Sequence, residues 1–235
     1  MQTFKIFVLH VKKGYEDREA HINAMMSRLG LEFEYITDGD IADLTPEVLK
    51  QWFAADSPLG HAVASTSCAY KHIITYQKII EQGLDGAMIL EDDILLRPDF
   101  CRIAEESLRQ LPPDRPAIIN YEDTRLRFVP HSQRRRGRVI YPGDRDRFTG
   151  AYYINRTGAH DILELAAREK ISRPIDHHHR HLLDRGLLDY WWSHPCVATQ
   201  GSFNGLFASS ISVSRSKVLA FKIKKAYRKL LYRFR

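Results

Sequence analysis

Short apolar runs alternate with segments of helical spacing along most of the chain. Residues 4–9 have strand composition. Ala20, Ile22, Met25, Met26 and Leu29 then recur at helical spacing, and Gly30 supplies a stop. Residues 32–36 alternate as a half-buried strand and end at Asp38-Gly39. This β-α-β opening predicts parallel strands joined by a right-handed crossover. Thr45-Pro46 reads as an N-cap with proline at the first helical position. A longer helix is predicted over 64–82, with Cys68, Ala69, His72, Ile73, Tyr76, Ile79 and Ile80 on one face.

The most informative stretch follows. Ala87-Met88-Ile89-Leu90 runs directly into Glu91-Asp92-Asp93, and an apolar run resumes at Ile94-Leu95-Leu96. A short continuous apolar run between Gly86 and Arg97-Pro98 reads as a buried strand. Three adjacent carboxylates at its end repel one another, and desolvation raises their pKa values. A hard divalent cation with oxygen ligands would offset that cost. An exposed acidic turn is the plainer alternative. In open α/β sheets, ligands gather outside the carboxyl ends of the strands, where these acids fall.

Downstream, a helix is predicted from Pro98-Asp99-Phe100 to Leu111, a buried strand over 116–121 ending near Glu122-Asp123, a strand over 150–154 and a helix over 157–167. A helix through the histidine run starts at His177, and 195–200 reads as a last strand. Residues 125–147 are arginine-rich and predict a mobile loop or exposed hairpin outside the core.

Composition is that of an ordinary globular protein, 44% hydrophobic and 27% charged, so 235 residues suit one sizeable domain. The three cysteines are widely spaced, without a CxxC pair, which predicts a reducing compartment. The apolar run at 6–9 is too short for a signal-peptide core, and no stretch approaches a membrane span, so a cytoplasmic protein is expected. The net charge of +6 is unevenly spread: residues 215–235 hold nine Lys or Arg and no acid, leaving the remainder at −3. Basicity therefore belongs to a tail.

Several stretches together resemble glycosyltransferase family 25, the bacterial lipooligosaccharide sugar transferases. They are the opening strand with Arg18, the Asp38-Gly39 turn, Ser67-Cys68-Ala69-Tyr70-Lys71-His72, Leu90-Glu91-Asp92-Asp93, Gly150-Ala151-Tyr152-Tyr153-Ile154 with Gly158-Ala159, Pro174-Ile175-Asp176, and 195–200. Together they span roughly residues 4–205 in order. Lys71 stands where the family commonly has serine, and the arginine-rich insert is particular to this member.

The resemblance implies a GT-A-type (Rossmann-like) α/β fold: a mixed, mostly parallel sheet flanked by helices, as one catalytic domain over 1–212 with a basic tail over 213–235. It implies an inverting transferase using a UDP-sugar, galactose being the commonest donor sugar, and a lipopolysaccharide, lipooligosaccharide or other glycan acceptor. Mn²⁺ or Mg²⁺ would act as Lewis acid on the diphosphate leaving group, with Asp93 the direct ligand and Glu91 and Asp92 contacting the ribose or the metal's waters. Arg18 and Asp38 fall on the donor side, although a solvated helix face and a bare Asp-Gly turn would look the same. Asp176 is the candidate general base, or an N-cap for the helix at His177; Glu122 and Asp123 are fallback bases. Tyr152, Tyr153 and Gln200 are acceptor-side candidates. Because Tyr152 and Tyr153 alternate across a strand, at most one faces the sugar. His72 is a secondary candidate that reads equally as a hydrogen-bonded core histidine.

His177 and His181, four apart on a helix, raise a zinc alternative, but the run otherwise predicts exposed or acceptor-contacting histidines. In the tail, Leu219, Ile223, Ala226, Tyr227, Leu230, Leu231 and Phe234 share one helical face ringed by cations. That is the pattern of a helix lying in an anionic inner-membrane surface, or of one packing its apolar face on the domain. The arginine-rich segment would help bind acceptor phosphates. Two other classes stay open: a non-enzymatic basic adaptor for membrane or nucleic acid, and a metal-dependent phosphoesterase. The acidic triplet and the lack of an RNA-binding motif count against nucleic acid. The phosphoesterase would need a second ligand cluster.

Overall fold

The computed structural model describes residues 2–113, 115–207, 215–232 and 234. The boundary expected at 212–213 lies outside the described residues. In chain order the elements are β1 (Lys5–Leu9), α1 (Glu16–Leu29), β2 (Glu34–Ile36), α2 (Pro46–Trp52), α3 (Ala64–Glu81), β3 (Gly86–Glu91), β4 (Ile94–Leu96), α4 (Phe100–Gln110), β5 (Ala117–Asn120), β6 (Ile140–Pro142), β7 (Ala151–Asn155), α5 (Arg156–Glu169), α6 (Ile175–Asp184), β8 (Asp189–Ser193), β9 (Ala198–Gln200), α7 (Gly201–Asn204) and α8 (Arg215–Leu231).

Seven strands form one sheet in the order β2-β1-β3-β7-β5-β8-β6. β1 pairs in parallel with β2 and β3, and β5 with β8; β7 and β6 run against their neighbours. The sheet is therefore mixed and mostly parallel, as expected. Local chemistry sets the boundaries. Gly30 ends α1 in the left-handed conformation at φ 63°, and Thr45 accepts from the Val48 amide to cap α2. Asn155 Oδ1 caps α5 by accepting from Gly158 and also takes the Ala117 amide, tying the helix start to β5.

Strand alternation divides the core. Ile6, Val8, Met88, Leu90 and Tyr153 pack under α1 and α4 with Ile22, Met25, Met26, Phe100 and Ile103. Phe7, Ile89, Ile118, Tyr152 and Ile154 pack on the other face with Tyr76, Ile79, Ile162 and Leu182 of α3, α5 and α6. Glu91 continues the parity of Ala87 and Ile89, which carries its side chain to the α3 face.

The chain around the triplet is not one continuous strand. β3 ends at Glu91, Asp92-Asp93 turn, and β4 enters a separate two-stranded sheet with β9, Ile94 opposite Gln200.

The arginine-rich segment departs from expectation. Val129, Ile140 and Tyr141 are buried in the core, and β6 is an edge strand on β8. Arg147 is fully buried, its guanidinium 4.9 Å from the Trp192 ring and donating to the Asn120 carbonyl at 3.1 Å. Aromatic stacking and carbonyl acceptors let a guanidinium enter the interior. α8 meets the domain through Phe221, Lys225 and Tyr232 and leaves Leu219, Ile223, Tyr227 and Leu230 exposed, so its apolar stripe is not packed whole on the domain as the second of the two tail readings has it. Arg233 lies outside the described residues.

Candidate functional site

β1, β2, β3 and β5 all end at one edge of the sheet, as β7 begins there. That edge gathers His10, Asp38, Glu91-Asp92-Asp93, Glu122-Asp123 and Gly150, with Thr149 beside them. The three consecutive acids have three different environments.

Asp92 is neutralised by the chain. Its Oδ1 accepts from Arg18 Nη1 at 2.7 Å and its Oδ2 lies 2.8 Å from His10 Nδ1, with all three side chains largely buried. The Arg18 guanidinium also sits 4.8 Å from the Tyr15 ring and 5.7 Å from that of Phe207. Arg18 on α1 is thereby placed at the acid edge rather than on a solvated helix face.

Asp93 is held by segments far along the chain. Its carbonyl accepts from Gly201 at 2.6 Å and its Oδ2 from the Ser202 amide at 3.3 Å, while its buried Oδ1 has no hydrogen-bond partner among the described residues. A Cβ at Gly201 would stand 2.8 Å from the Asp93 carbonyl oxygen, so glycine permits the approach. Burial raises the Asp93 pKa against the opposing effect of Ser202.

Glu91 is half-buried and accepts from Thr149 Oγ1 at 3.1 Å and from Gln200 Nε2 at 3.4 Å. Gln200 thus joins the acid edge. Burial, then the charges of Asp93 and Glu122, drive the Glu91 pKa well above the usual carboxylate range. Glu122 is fully buried. Its Oε1 accepts from Ala151 at 3.2 Å, its Oε2 has no partner among the described residues, and burial pushes its pKa up to about 8. A Cβ on Gly150 would come 2.6 Å from Glu122 Oε1 and 2.7 Å from Gln200 Nε2, so this edge closes only around glycine.

Asp123 is occupied by the tail. Lys225 Nζ lies 2.7 Å and Lys229 Nζ 3.5 Å from its carboxylate, and Thr199 donates to it. Asp176 lies in the first turn of α6, which starts at Ile175 with Pro174 at the N-cap. Asp176 therefore does not cap a helix beginning at His177. Its Oδ2 pairs with Arg125 at 2.5 Å, and Arg125 reaches Asp146 at 3.5 Å and stacks 4.3 Å from Phe148.

Asp38 is exposed and pairs with Lys12 at 3.2 Å. The departure at Lys71 has a structural explanation. Its buried ammonium sits 2.8 Å from Asp40 and donates at 3.1 Å to the carbonyls of Thr37 and Asp38, fixing the turn after β2.

The tyrosines correct an expectation. Tyr152 is fully buried, its hydroxyl 2.7 Å from both His72 Nδ1 and the Tyr76 hydroxyl. Tyr153 is on the opposite face, donating to the Asp85 carbonyl at the far end of β3. Neither is open to a sugar, because strand parity sends one under α3 and the other under α1 and α4. The histidine run is also more buried than expected. His178 and His179 are inside, His179 Nε2 lying 2.9 Å from the Tyr76 hydroxyl, and burial holds both pKa values below the usual range. Among the described residues His177 lies within ligand reach of Asp146 and Asp176. The buried Arg147, the Lys71 anchor and the His10 partner of Asp92 are contributions that spacing could not reveal.

Among the described residues no helix is long and apolar enough to cross a membrane.

Similarity to solved structures is distant. A glycosyltransferase involved in glycosylation of the major capsid of PBCV-1 is 11% identical, with 93% of this chain and 99% of that chain covered and a TM-score of 0.44. Mouse xyloside xylosyltransferase 1, apo form, is 13% identical, covering 80% and 83%, with a TM-score of 0.41. The inositol-1-phosphate CTP transferase from T. maritima is 12% identical, covering 93% and 76%, with a TM-score of 0.37. No curated protein matches by sequence. The family model for glycosyltransferase family 25 (LPS biosynthesis protein) matches residues 4–178, which include Arg18, the Glu91-Asp92-Asp93 edge, Glu122 and Asp176. This chain belongs to glycosyltransferase family 25 and is a glycosyltransferase.

Proposed function

We propose that this glycosyltransferase is an inverting, metal-dependent enzyme that moves a hexose, galactose first among candidates, from a UDP-sugar to a lipopolysaccharide or lipooligosaccharide acceptor. The observation that carries this reading is the Asp93 carboxylate, whose Oδ1 is buried without a partner at the edge where the sheet ends converge. With Asp92 already neutralised, Asp93, Glu91 and Glu122 form a crowded acidic field that a hard cation fits. Asp93 would hold Mn²⁺ or Mg²⁺ through Oδ1. Such an ion supplies Lewis-acid neutralisation of a diphosphate leaving group.

The chain's own residues would do the rest. Arg18 holds Asp92 in place beside the diphosphate position, and the turn of Asp38, pinned by Lys71, flanks the uridine side. Inversion requires a base on the acceptor hydroxyl, opposite the leaving group. Asp176 fills that role in this reading, its carboxylate oriented by Arg125. Glu122 and Asp123 are less suited, one sealed under Gly150 and the other engaged by Lys225.

The exposed apolar stripe of α8 supports placement on an anionic bilayer at the cytoplasmic leaflet. Leu219 and Ile223 are 62% and 63% exposed, and Lys222 and Lys224 flank them. A lipid-linked acceptor would be presented at that surface.

The test is hydrolysis and binding of a panel of sugar nucleotides, with and without Mn²⁺, by the full chain and by Asp93→Ala. Metal-dependent consumption of one UDP-sugar that disappears in the variant is the expected result. Binding of no sugar nucleotide, together with an unchanged variant, would overturn the reading.

A further inference from the structure

Beside the Asp93 edge, α3 and β3 bring together three groups of different chemistry. Cys68 and His72 are one helical turn apart on α3, and Glu91 ends β3 on the face α3 covers. Cys68 Sγ, a ring nitrogen of His72 and a carboxylate oxygen of Glu91 all lie within 4.8 Å of one another.

His72 is 0% exposed, and its Nε2 has no hydrogen-bond partner among the described residues. A buried polar atom without a partner loses its hydration uncompensated, so an unmet partner is implied. The other nitrogen is well supported: Nδ1 meets the Tyr152 hydroxyl, Tyr152 meets Tyr76, and Tyr76 meets His179 Nε2, a chain of 2.7, 2.7 and 2.9 Å. Outer hydrogen bonds of this kind orient a ligating imidazole. Cys68 and Glu91 are each only partly covered as residues, unlike His72.

We propose that Cys68, His72 and Glu91 form a binding site for Zn²⁺ or a similar borderline-soft divalent cation, distinct from the oxygen-only environment of Asp93. Thiolate and imidazole select zinc over Mg²⁺ or Mn²⁺, and three protein ligands leave a fourth position for water or an oxygen ligand. Loading breaks the Cys68 S–H bond, releases that proton to solvent and forms a metal–sulfur bond. Occupancy also withdraws Glu91 from Thr149 and Gln200. Zinc would then oppose donor binding, a consequence that rests on the function proposed above, whereas the site itself does not.

The test therefore reads the metal directly, on the full chain without donor. Co²⁺ alone should give a thiolate-to-metal charge-transfer absorption that saturates at one equivalent and is displaced by Zn²⁺. Cys68→Ser should abolish the band, His72→Gln should weaken Co²⁺ binding roughly 10-fold or more, and Asp93→Asn should retain the band. On the unaltered protein, Zn²⁺ should slow alkylation of Cys68, mapped by mass spectrometry against Cys101 and Cys196. Absence of the band at stoichiometric Co²⁺, its survival in Cys68→Ser, or Cys68 alkylation indifferent to Zn²⁺ would each overturn the proposal.

Discussion

Arg18 and Asp92 form a buried ion pair, Nη1 to Oδ1 at 2.7 Å, which separates the middle acid of the triplet from its neighbours. With His10 on its other oxygen, Asp92 is a structural anion. Removing it takes a close buried partner from both Arg18 and His10.

Asp92→Ala should therefore cost about 3 kcal/mol or more, the range for breaking a buried pair from one side. Asp93→Ala removes an acid whose charge is opposed by burial and should cost under about 1 kcal/mol. Thermal unfolding with and without Mn²⁺ checks the contrast. Asp92→Ala should melt lower in both conditions, and Asp93→Ala should lose only the increment that Mn²⁺ gives the wild type.

Crowding at this edge makes stability depend on pH in a definite direction. A carboxyl whose pKa is higher folded than unfolded keeps its proton in the native state after the unfolded chain has released it. Stability is then full below the unfolded pKa and falls as pH rises through the folded one. For Glu122 that window runs from the ordinary glutamate value of 4.5 to about 8. The metal-free protein should lose up to about 1.4 kcal/mol per pH unit per such group across it. Urea titrations at several pH values measure the slope, which Glu122→Gln should flatten.

Lys71 anchors the turn after β2 to α3 through Asp40 and two carbonyls. Replacing it with serine, the residue common in the family, should destabilise this protein by about 2–4 kcal/mol, since a short hydroxyl leaves Asp40 and both carbonyls short of a donor. A double-mutant cycle with Asp40→Asn should return a coupling of at least about 1 kcal/mol. Additive effects would mean that the pair does not hold the turn.

The first half of the fold was legible because each element there obeys one clear period: the strand at 4–9, the helical spacing to Leu29, the long helix before Gly83 and the apolar run into the acids. The second half was less so. β6 and β8 carry Tyr141, Pro142, Asp189, Trp191 and Trp192, and edge pairing there tolerates proline and a leading acid, so no clean alternation survives. The arginine count hid the buried Val129, Ile140 and Tyr141, because a guanidinium is interior only when a particular ring and carbonyl receive it, as Trp192 and Asn120 receive Arg147. At the site, adjacency announced the triplet, but only the tertiary partners His10, Arg18 and Ser202 distinguish its three acids.

For the tail helix, Leu219→Gln, Ile223→Gln and Tyr227→Gln together should abolish co-sedimentation with vesicles containing anionic lipid without changing the melting temperature, because these side chains are exposed. Wild-type binding should weaken on neutral vesicles and at high salt, each Lys or Arg near the surface contributing about 1 kcal/mol at low salt. Equal binding to neutral vesicles would point to a purely apolar attachment.

The contact between Asp93 and Ser202 spans 109 residues of sequence. At ribosomal rates of about 5–20 residues per second, the acid emerges about 5–20 seconds before the backbone that holds it. During that interval β3 can pair with β1, but β4 has no β9 beside it and Gln200 cannot yet reach Glu91. The nascent chain thus passes through a stage with its sheet under construction and its acids unrestrained, and α8 with its outward apolar stripe comes next after α7 among the described helices. Completion of the acidic edge and arrival of the α8 segment are neighbouring events in synthesis.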